Sequence, residues 1–400
     1  MGNYLVCCCC SNYERSRTES KVFKNRRLAI SSEGKTNPEQ YSYHIALKNP
    51  HGLNYIHYDP YEKKFVSEYN IEDWLSGLYK GFHQPNRYPW EHWIIYNDDP
   101  PFIFNQNEIN FLKPKATAGH CKGILAWNDY EMSWLIHSVP RFPEYFCPEA
   151  VGTDLSGGRV FSEMHYSEEI YGQSFGHFYL SWEKEGGKEM SEKRIRELLE
   201  HVRLMEPCVY LSKGFWGTSY SDKWEHLVTR HYHPPKPTDT EFKENAALEE
   251  NKKGLKCWKG LEGKWEHYAK SPHFEEDFYE NLARQKGGCR VESWIRGQKV
   301  ANSKWVTNNE VVNSLQFLTD EIPPNPLRFK ESQDHSKWAI SVENELQKIE
   351  GQVIEGREEP EKWVCVGDLN RMISQTKRGG GAMVITDKDL HQAWKTLIGK

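Results

Sequence analysis

Gly119–Trp127 reads GHCKGILAW, and how this stretch is read decides the fold. A short apolar run with β-compatible residues follows a histidine and a lysine two positions apart. Polar Asn128-Asp129 closes the run, so it reads as a buried strand. In a strand, residues i and i+2 share a face, so His120 and Lys122 are expected to project together. A second stretch, Asp334–Ser341 (DHSKWAIS), sets His335 and Lys337 in the same spacing ahead of another β-type run. A surface strand with alternating polar groups would show the same spacing, so spacing alone does not separate a site from a solvated face.

The rest of the chain supplies the setting. Other strand-like runs are HWIIYND (His92–Asp98), SWLIHSV (Ser133–Val139), GGCRVESWI (Gly287–Ile295) and the residues around SKWAIS and WVCVGD. Apolar residues at Ile195, Leu198, Leu199 and Val202 predict a helix over Ser191–Met205, with Ser191 as its N-cap. HFEEDFYENLARQ (His273–Gln285) also reads as helical. The Pro-broken, then charged stretch His233–Gly254 predicts a boundary. The expected organisation is a flexible tail over 1–40, one half over 41–235 and a second over 236–400. Each half carries one His-x-Lys pair. Strands mixed with helices in both predict an α/β or α+β fold, with a central β-sheet flanked by helices in each half. The polar run Glu343–Trp363 is expected to be a solvent-facing insertion.

Composition limits the function classes. The chain has 400 residues, of which 38% are hydrophobic and 13% aromatic, enough for a substantial core. Its net charge of −5 with neutral histidines is the wrong sign for a constitutive nucleic-acid binder. Seventeen histidines outnumber that deficit, so protonating them in acid would present a positive field to a polyanion. Six cysteines are dispersed without a C-x-x-C pair, which excludes a zinc framework of that kind.

The N-terminus reads MGNYLVCCCC. It lacks the basic segment of a signal peptide, and no run reaches the roughly 20 apolar residues of a spanning helix. Gly2 is the position required for myristoylation, although Val6 stands where Ser or Thr is usual. Cys7, Cys8, Cys9 and Cys10 are candidate palmitoylation sites, and a basic stretch from Arg15 to Arg27 follows. Two such signals together make membrane anchoring stable. The tail therefore favours attachment to a cytoplasmic membrane face over a degenerate signal sequence, with an unstructured tail as the alternative.

Two histidines and two lysines converging across a pseudo-twofold axis would suit phosphodiester cleavage. One imidazole can attack phosphorus and form a covalent intermediate. The other can protonate the leaving oxygen and then activate water. The ammonium groups can hold the nonbridging oxygens. No metal or other cofactor is needed, and the sequence offers no convincing carboxylate cluster for one.

The flanking words are more specific than the pairs. YNDDPP (Tyr96–Pro101), GHCKG, WLIHSVPRFP (Trp134–Pro143), YGQS (Tyr171–Ser174), DHSKW (Asp334–Trp338), VGDLNRMISQTKRGGG (Val366–Gly381) and LHQAWKTL (Leu390–Leu397) resemble the motifs of the deoxyribonuclease II family, in that family's order. The resemblance runs from about Tyr43 to the end and is weak between Gly186 and His267. It implies a phospholipase D-like fold of two pseudo-symmetric halves sharing an active-site cleft. It also implies metal-independent endonuclease activity on DNA, usually best in acid, leaving 3′-phosphate ends. His120 and Lys122 match the first catalytic pair of the family, and His335 and Lys337 the second. Asp368 and Asn370 match positions near the second pair, where they could orient an imidazole or bond a phosphate oxygen. His137 falls in a matching motif and reads as structural or supporting. Gly379–Gly381 are expected to allow close backbone approach or form a tight turn.

The departures concern cysteine. Cys121 stands where the family usually has Thr or another small residue. Ala339 and the residues after Gly381 stand where family members carry cysteines. The implied loss of disulfides points to a reducing compartment, whereas the family alternative is lysosomal or secreted. Two competing readings remain: a lipid phosphodiesterase brought to its substrate by the tail, and a membrane-attached DNA-binding protein with decayed catalysis.

Overall fold

Period-two alternation builds two antiparallel-rich sheets that share one core. The computed structural model describes residues 42–50, 52–68, 70–71, 74–75, 90–100, 102–105, 108–111, 118–142, 171–181, 188–215, 254–259, 264–308, 331–342 and 361–398. Gly2, Cys7–Cys10, nearly all of the expected boundary at His233–Gly254 and most of the expected insertion lie outside the described residues. Tyr41–Lys400 form one compact unit.

The first sheet contains β1 (Ser42–Lys48), β2 (Tyr55–Asp59), β3 (Lys64–Glu68), β4 (His92–Asn97), β7 (Lys122–Trp127), β8 (Glu131–His137), β9 (Gln173–Ser181) and β10 (Val209–Lys213). β5 (Phe102–Asn105) and β6 (Glu108–Phe111) form a separate hairpin. The eight-stranded order is β10-β4-β7-β8-β9-β1-β2-β3. The second sheet contains β11 (Lys256–Lys259), β12 (Trp265–Lys270), β13 (Cys289–Glu292), β14 (Val306–Asn308), β15 (Trp338–Ser341), β16 (Trp363–Gly367) and β17 (Gly380–Thr386). Its order is β11-β12-β17-β16-β15-β13-β14. Reversed, this order superposes on the first: β13-β15-β16-β17-β12 corresponds to β4-β7-β8-β9-β1. The first His-x-Lys leads into β7 and the second into β15, the same strand of each half.

Each inner strand sends alternate residues to opposite faces. Leu125 and Trp127 of β7, Trp134 and Ile136 of β8, Trp338 and Ile340 of β15, and Val364 and Val366 of β16 enter one shared core. Ile124 and Ala126 face an outer cluster with Trp93 and Phe175, and Ala339 and Cys365 face another with Tyr279 and Leu282. The two sheets thus bury their inner faces in common.

Among the described residues, three α-helices complete the layers. α1 (Lys188–Arg203) starts before Ser191, so Ser191 lies inside the helix rather than capping it. Its Leu198, Leu199 and Val202 join the shared core, and that burial holds the helix without the expected cap. α2 (Phe278–Lys286) begins later than the sequence suggests, because the Asp277 side chain accepts from Tyr279 N and caps it there. α3 (Lys388–Leu397) is capped by Asp387, which accepts from Asp389 N and Leu390 N. The same carboxylate accepts from Tyr43 Oη at 2.7 Å, tying α3 to the first sheet.

Trp394 of α3 packs edge-on against Phe65 of β3 at 5.5 Å and against Trp338 of β15 at 5.7 Å, joining the two halves. It is fully buried. Trp394→Ala should therefore lower unfolding stability by about 3–5 kcal/mol, as large-to-small core changes do. Urea unfolding checks this, and a loss below about 1 kcal/mol would show that the junction contributes little.

Candidate active site

The two His-x-Lys segments are held by a reciprocal exchange between the halves. His120 N donates to Gly379 O at 2.8 Å, just before β17, and His335 N donates to Gly172 O at 2.9 Å, just before β9. These bonds take both histidines out of the expected strand: β7 begins at Lys122 and β15 at Trp338. Each histidine therefore lies in the segment that leads into its strand, and His120 sits at a bend. The glycine run makes the approach possible. A Cβ on Gly119 or Gly379 would collide with the Met205 carbonyl, and one on Gly381 would strike the His267 ring.

Around His120 the environment is charged. Its Nδ1 lies 2.7 Å from the Asp368 carbonyl oxygen, which can only accept, so Nδ1 carries the proton and Nε2 keeps its lone pair. Nε2 lies 3.9 Å from Asp98 Oδ2. Asp98 also pairs with Lys122 Nζ and, at 3.1 Å, with Arg378 Nη2. Arg378 further donates to the Ala118 carbonyl from Nε and Nη2, at 3.1 and 2.7 Å. Burial alone would raise the Asp98 carboxyl, but Lys122, His120 and Arg378 hold it well below the usual carboxylate range. Burial lowers His120 well below an ordinary imidazole, against the pull of Asp98, and Lys122 and Lys337 add to the lowering. The His120 side chain keeps 14% of its surface exposed, so it is reachable.

Around His335 the environment is aromatic. Tyr171 stacks on its ring at 4.0 Å and 16°, and Trp294 packs at 3.6 Å and 48°. Arg296 sits 4.7 Å over the Trp294 ring. His335 Nε2 is buried with no hydrogen-bond partner among the described residues. Lys337 Nζ donates to the His335 carbonyl at 2.6 Å. Lys337 N donates to Ser174 Oγ at 3.1 Å. Burial, then Lys337, Lys122, Arg296 and His120, lower His335 to about 2. Burial, with Lys122, lowers Lys337 to about 7. Lys337 acts on His120, and both His120 and Lys122 act on His335, so the four groups share one electrostatic neighbourhood.

Strand register shows how the two environments correspond. Gly123 pairs with Tyr96, and Trp338, at the equivalent position after its lysine, pairs with Glu292. Two residues further along, Asp98 therefore matches Trp294. Lys48 pairs with Gln173 and Lys270 with Gly380, so Tyr171 and Arg378, two residues earlier, also match. At equivalent positions, a carboxylate and a guanidinium flank His120, and an indole and a phenol flank His335, each half supplying one group to each histidine. Asp98, Arg378 and Tyr171 lie in YNDDPP, KRGGG and YGQS, but those words do not say which residue faces a histidine. Trp294 carries no sequence signal beyond its strand.

The supporting residues fall into two groups. Asp368 and Asn370 follow β16 and are buried. Asp368 Oδ1 accepts from Lys122 N at 3.4 Å, while Asp368 Oδ2 and Asn370 Oδ1 have no partner among the described residues. Burial, only partly offset by Lys122, raises the Asp368 carboxyl to about 8. His137 is fully buried beside Phe142 and Phe175, with Nδ1 accepting from Val139 N at 3.2 Å. Burial lowers it to about 3. Cys121 is fully buried in the shared core, and Cys121, Cys257, Cys289 and Cys365 are free thiols. Among the described residues no group of three or more His, Cys, Asp or Glu could hold a metal ion.

The raised Asp368 carboxyl predicts a pH signature. Between about 4 and 8 the folded protein holds a proton there that the unfolded chain, at the ordinary 3.8, has released. This contribution to stability is present in full below about 4 and is lost as pH rises through about 8. Asp368→Asn should remove it, so the variant gains stability relative to wild type as pH rises through that window. Parallel denaturant titrations check this, and a constant difference from pH 4 to 8 would mean that Asp368 is ionised throughout.

The chain is similar in sequence to known proteins. The sequence pattern of the family described as Deoxyribonuclease II matches residues 35–400. A Burkholderia pseudomallei protein named as a deoxyribonuclease-2 is 28% identical over 311 residues, covering 76% of this chain and 69% of its own. Cell-death-related nuclease 7 of Caenorhabditis elegans is 28% identical over 312 residues, covering 76% and 67%. Deoxyribonuclease-2-beta of Rattus norvegicus is 23% identical over 358 residues, covering 87% and 83%.

Proposed function

This chain belongs to the deoxyribonuclease II family, and we propose that it is an endonuclease that hydrolyses DNA phosphodiester bonds with His120 as nucleophile and His335 as general acid and base. The observation that carries this reading is the exchange at matched positions: Asp98 and Arg378 beside His120, Trp294 and Tyr171 beside His335. Two imidazoles in equivalent backbone settings but different environments are suited to different roles.

The roles follow from the nitrogens. With Nδ1–H held by the Asp368 carbonyl, His120 Nε2 offers its lone pair to phosphorus. Attack forms a P–N bond and breaks the bond to the 5′-oxygen. That oxygen takes a proton from His335 Nε2, which has no partner among the described residues and is suited to meet a leaving group. Neutral His335 then accepts a proton from water as the water attacks phosphorus. The P–N bond breaks, leaving a 3′-phosphate strand and free His120. Lys122 and Lys337 hold the nonbridging oxygens. Burial disfavours protonated His335 in the free enzyme, so the phosphate's negative charge is needed to draw the proton there. Asn370 is suited to bond a phosphate oxygen through its amide. His137, walled by phenylalanines, supports the strand end. Acyl groups on Gly2 and Cys7–Cys10 would place the same chemistry at a membrane surface.

The reading needs no metal. Supercoiled plasmid in excess chelator should be nicked and linearised, at a rate that falls as pH rises, because burial makes the leaving-group proton on His335 hard to hold. His120→Ala and His335→Ala should each lower the rate by about a thousandfold. Wild-type-like cleavage by either variant would remove that histidine from the chemistry. A strict requirement for divalent metal would overturn the metal-free route, and hydrolysis of phospholipid vesicles without DNA cleavage would make the substrate a lipid.

A further inference from the structure

Two buried lysines that take no part in the chemistry above occupy matching places in the two halves. Lys48 ends β1 and pairs with Gln173, the first residue of β9. Lys270 ends β12 and pairs with Gly380, the first residue of β17. Their exposures are 1% and 0%. Each ammonium is held by main-chain carbonyls. Lys48 Nζ donates to Asn49 O at 2.8 Å, Gly52 O at 2.9 Å and Tyr171 O at 3.0 Å. Lys270 Nζ donates to Thr376 O at 2.7 Å, Arg378 O at 2.9 Å and Ser271 O at 3.4 Å.

Besides carbonyls of the turns that follow their own strands, each grips the loop that reaches across to the opposite half: Lys48 through Tyr171 O, and Lys270 through Thr376 O and Arg378 O. Tyr171, gripped by Lys48, stacks on His335, and the next residue supplies the carbonyl that binds His335 N. Arg378, gripped by Lys270, pairs with Asp98, and the next residue supplies the carbonyl that binds His120 N. Burying an ammonium is unfavourable unless its donors are satisfied, so a lysine that served packing alone would be replaceable by methionine. Burial already lowers Lys270 to about 8, against the pull of Asp277 and Glu275.

We propose that Lys48 and Lys270 are a pseudo-twofold pair of positioning residues, each fixing the loop of its own half that sets the histidine of the other. Lys48 sets His335 through Tyr171-Gly172, and Lys270 sets His120 through Arg378-Gly379. The coupling is crossed: the lysine of the first half governs the imidazole of the second, and the reverse. This rests on the two histidines being the reacting groups.

The test compares full-length Lys48→Met and Lys270→Met with wild type, His120→Ala and His335→Ala. Plasmid cleavage kinetics and the ring 15N–1H signals of His120 and His335 are read for each. The expected result is a fall in kcat of about a hundredfold in each lysine variant, with KM within about twofold, since small misplacements of catalytic groups are that costly. Lys48→Met should shift the His335 ring signals and leave those of His120, and Lys270→Met should do the opposite. A general loosening of the fold would not give crossed shifts. Should a methionine variant fail to fold, Lys48→Arg and Lys270→Arg keep the cation, and the same crossed pattern is required of them. Folded variants with kcat within twofold of wild type, or with shifts in the histidine of their own half, overturn the inference. Full cleavage by His120→Ala or His335→Ala would instead overturn the functional reading beneath it.

Discussion

The structure depends on two backbone hydrogen bonds: His120 N to Gly379 O and His335 N to Gly172 O, at 2.8 and 2.9 Å. Neither half completes its own His-x-Lys segment. Each supplies, from the loop before its fourth central strand, the acceptor for the other's histidine. This exchange fixes how closely the sheets approach, and it explains why glycine stands at Gly119 and Gly379, where any side chain would meet the Met205 carbonyl. A buried N–H without an acceptor would be destabilising, so the segments are ordered only when the halves are joined. Assembly of the site and burial of the shared core are therefore one event.

On this symmetric backbone the electrostatics are asymmetric. Asp98 gathers Lys122 and Arg378 beside one imidazole, and indole and phenol rings enclose the other. The two imidazoles therefore meet different surroundings. His120 has an acceptor for its Nδ1–H and a carboxylate near Nε2. His335 has aromatic faces and an Nε2 with no partner among the described residues. Duplicated topology sets the backbone, and substitution at matched positions sets the contrast between the two imidazoles.

Much of this was legible in the sequence. The inner strands were readable because their alternation is local: Leu125 and Trp127 point one way, Ile124 and Ala126 the other. The two pairs were readable because the spacing recurs within long family-like words. Their backbone state was not, because it is decided by carbonyls far away in sequence, Gly379 O for His120 and Gly172 O for His335. The same limit hid Asp98, Arg378, Tyr171 and Trp294 as neighbours of the histidines. Ser191 misled because capping is a local preference, whereas α1 is held by burying Leu198, Leu199 and Val202.

Composition also suggested a strongly positive protein in acid, and burial corrects that. His44 is lowered to about 4, and His137 and His201 to about 3, each chiefly by burial. Burial also lowers His177 and His267 well below an ordinary imidazole, and His201 Nε2 lies 2.8 Å from His267 Nδ1, a contact that needs one ring to accept. These imidazoles add no charge in mild acid while the protein is folded. The unfolded chain does take up those protons, near 6.5. Below about 6.5 it therefore binds more protons than the folded state, and stability declines as pH falls toward their folded values. The histidines that make an acid-driven attraction to DNA plausible by count are in part those that limit how much acid the fold withstands. Attraction to a polyanion would then rest on cations such as Arg296 and Arg378 near the paired imidazoles. The core histidines instead set the acid edge of the working range.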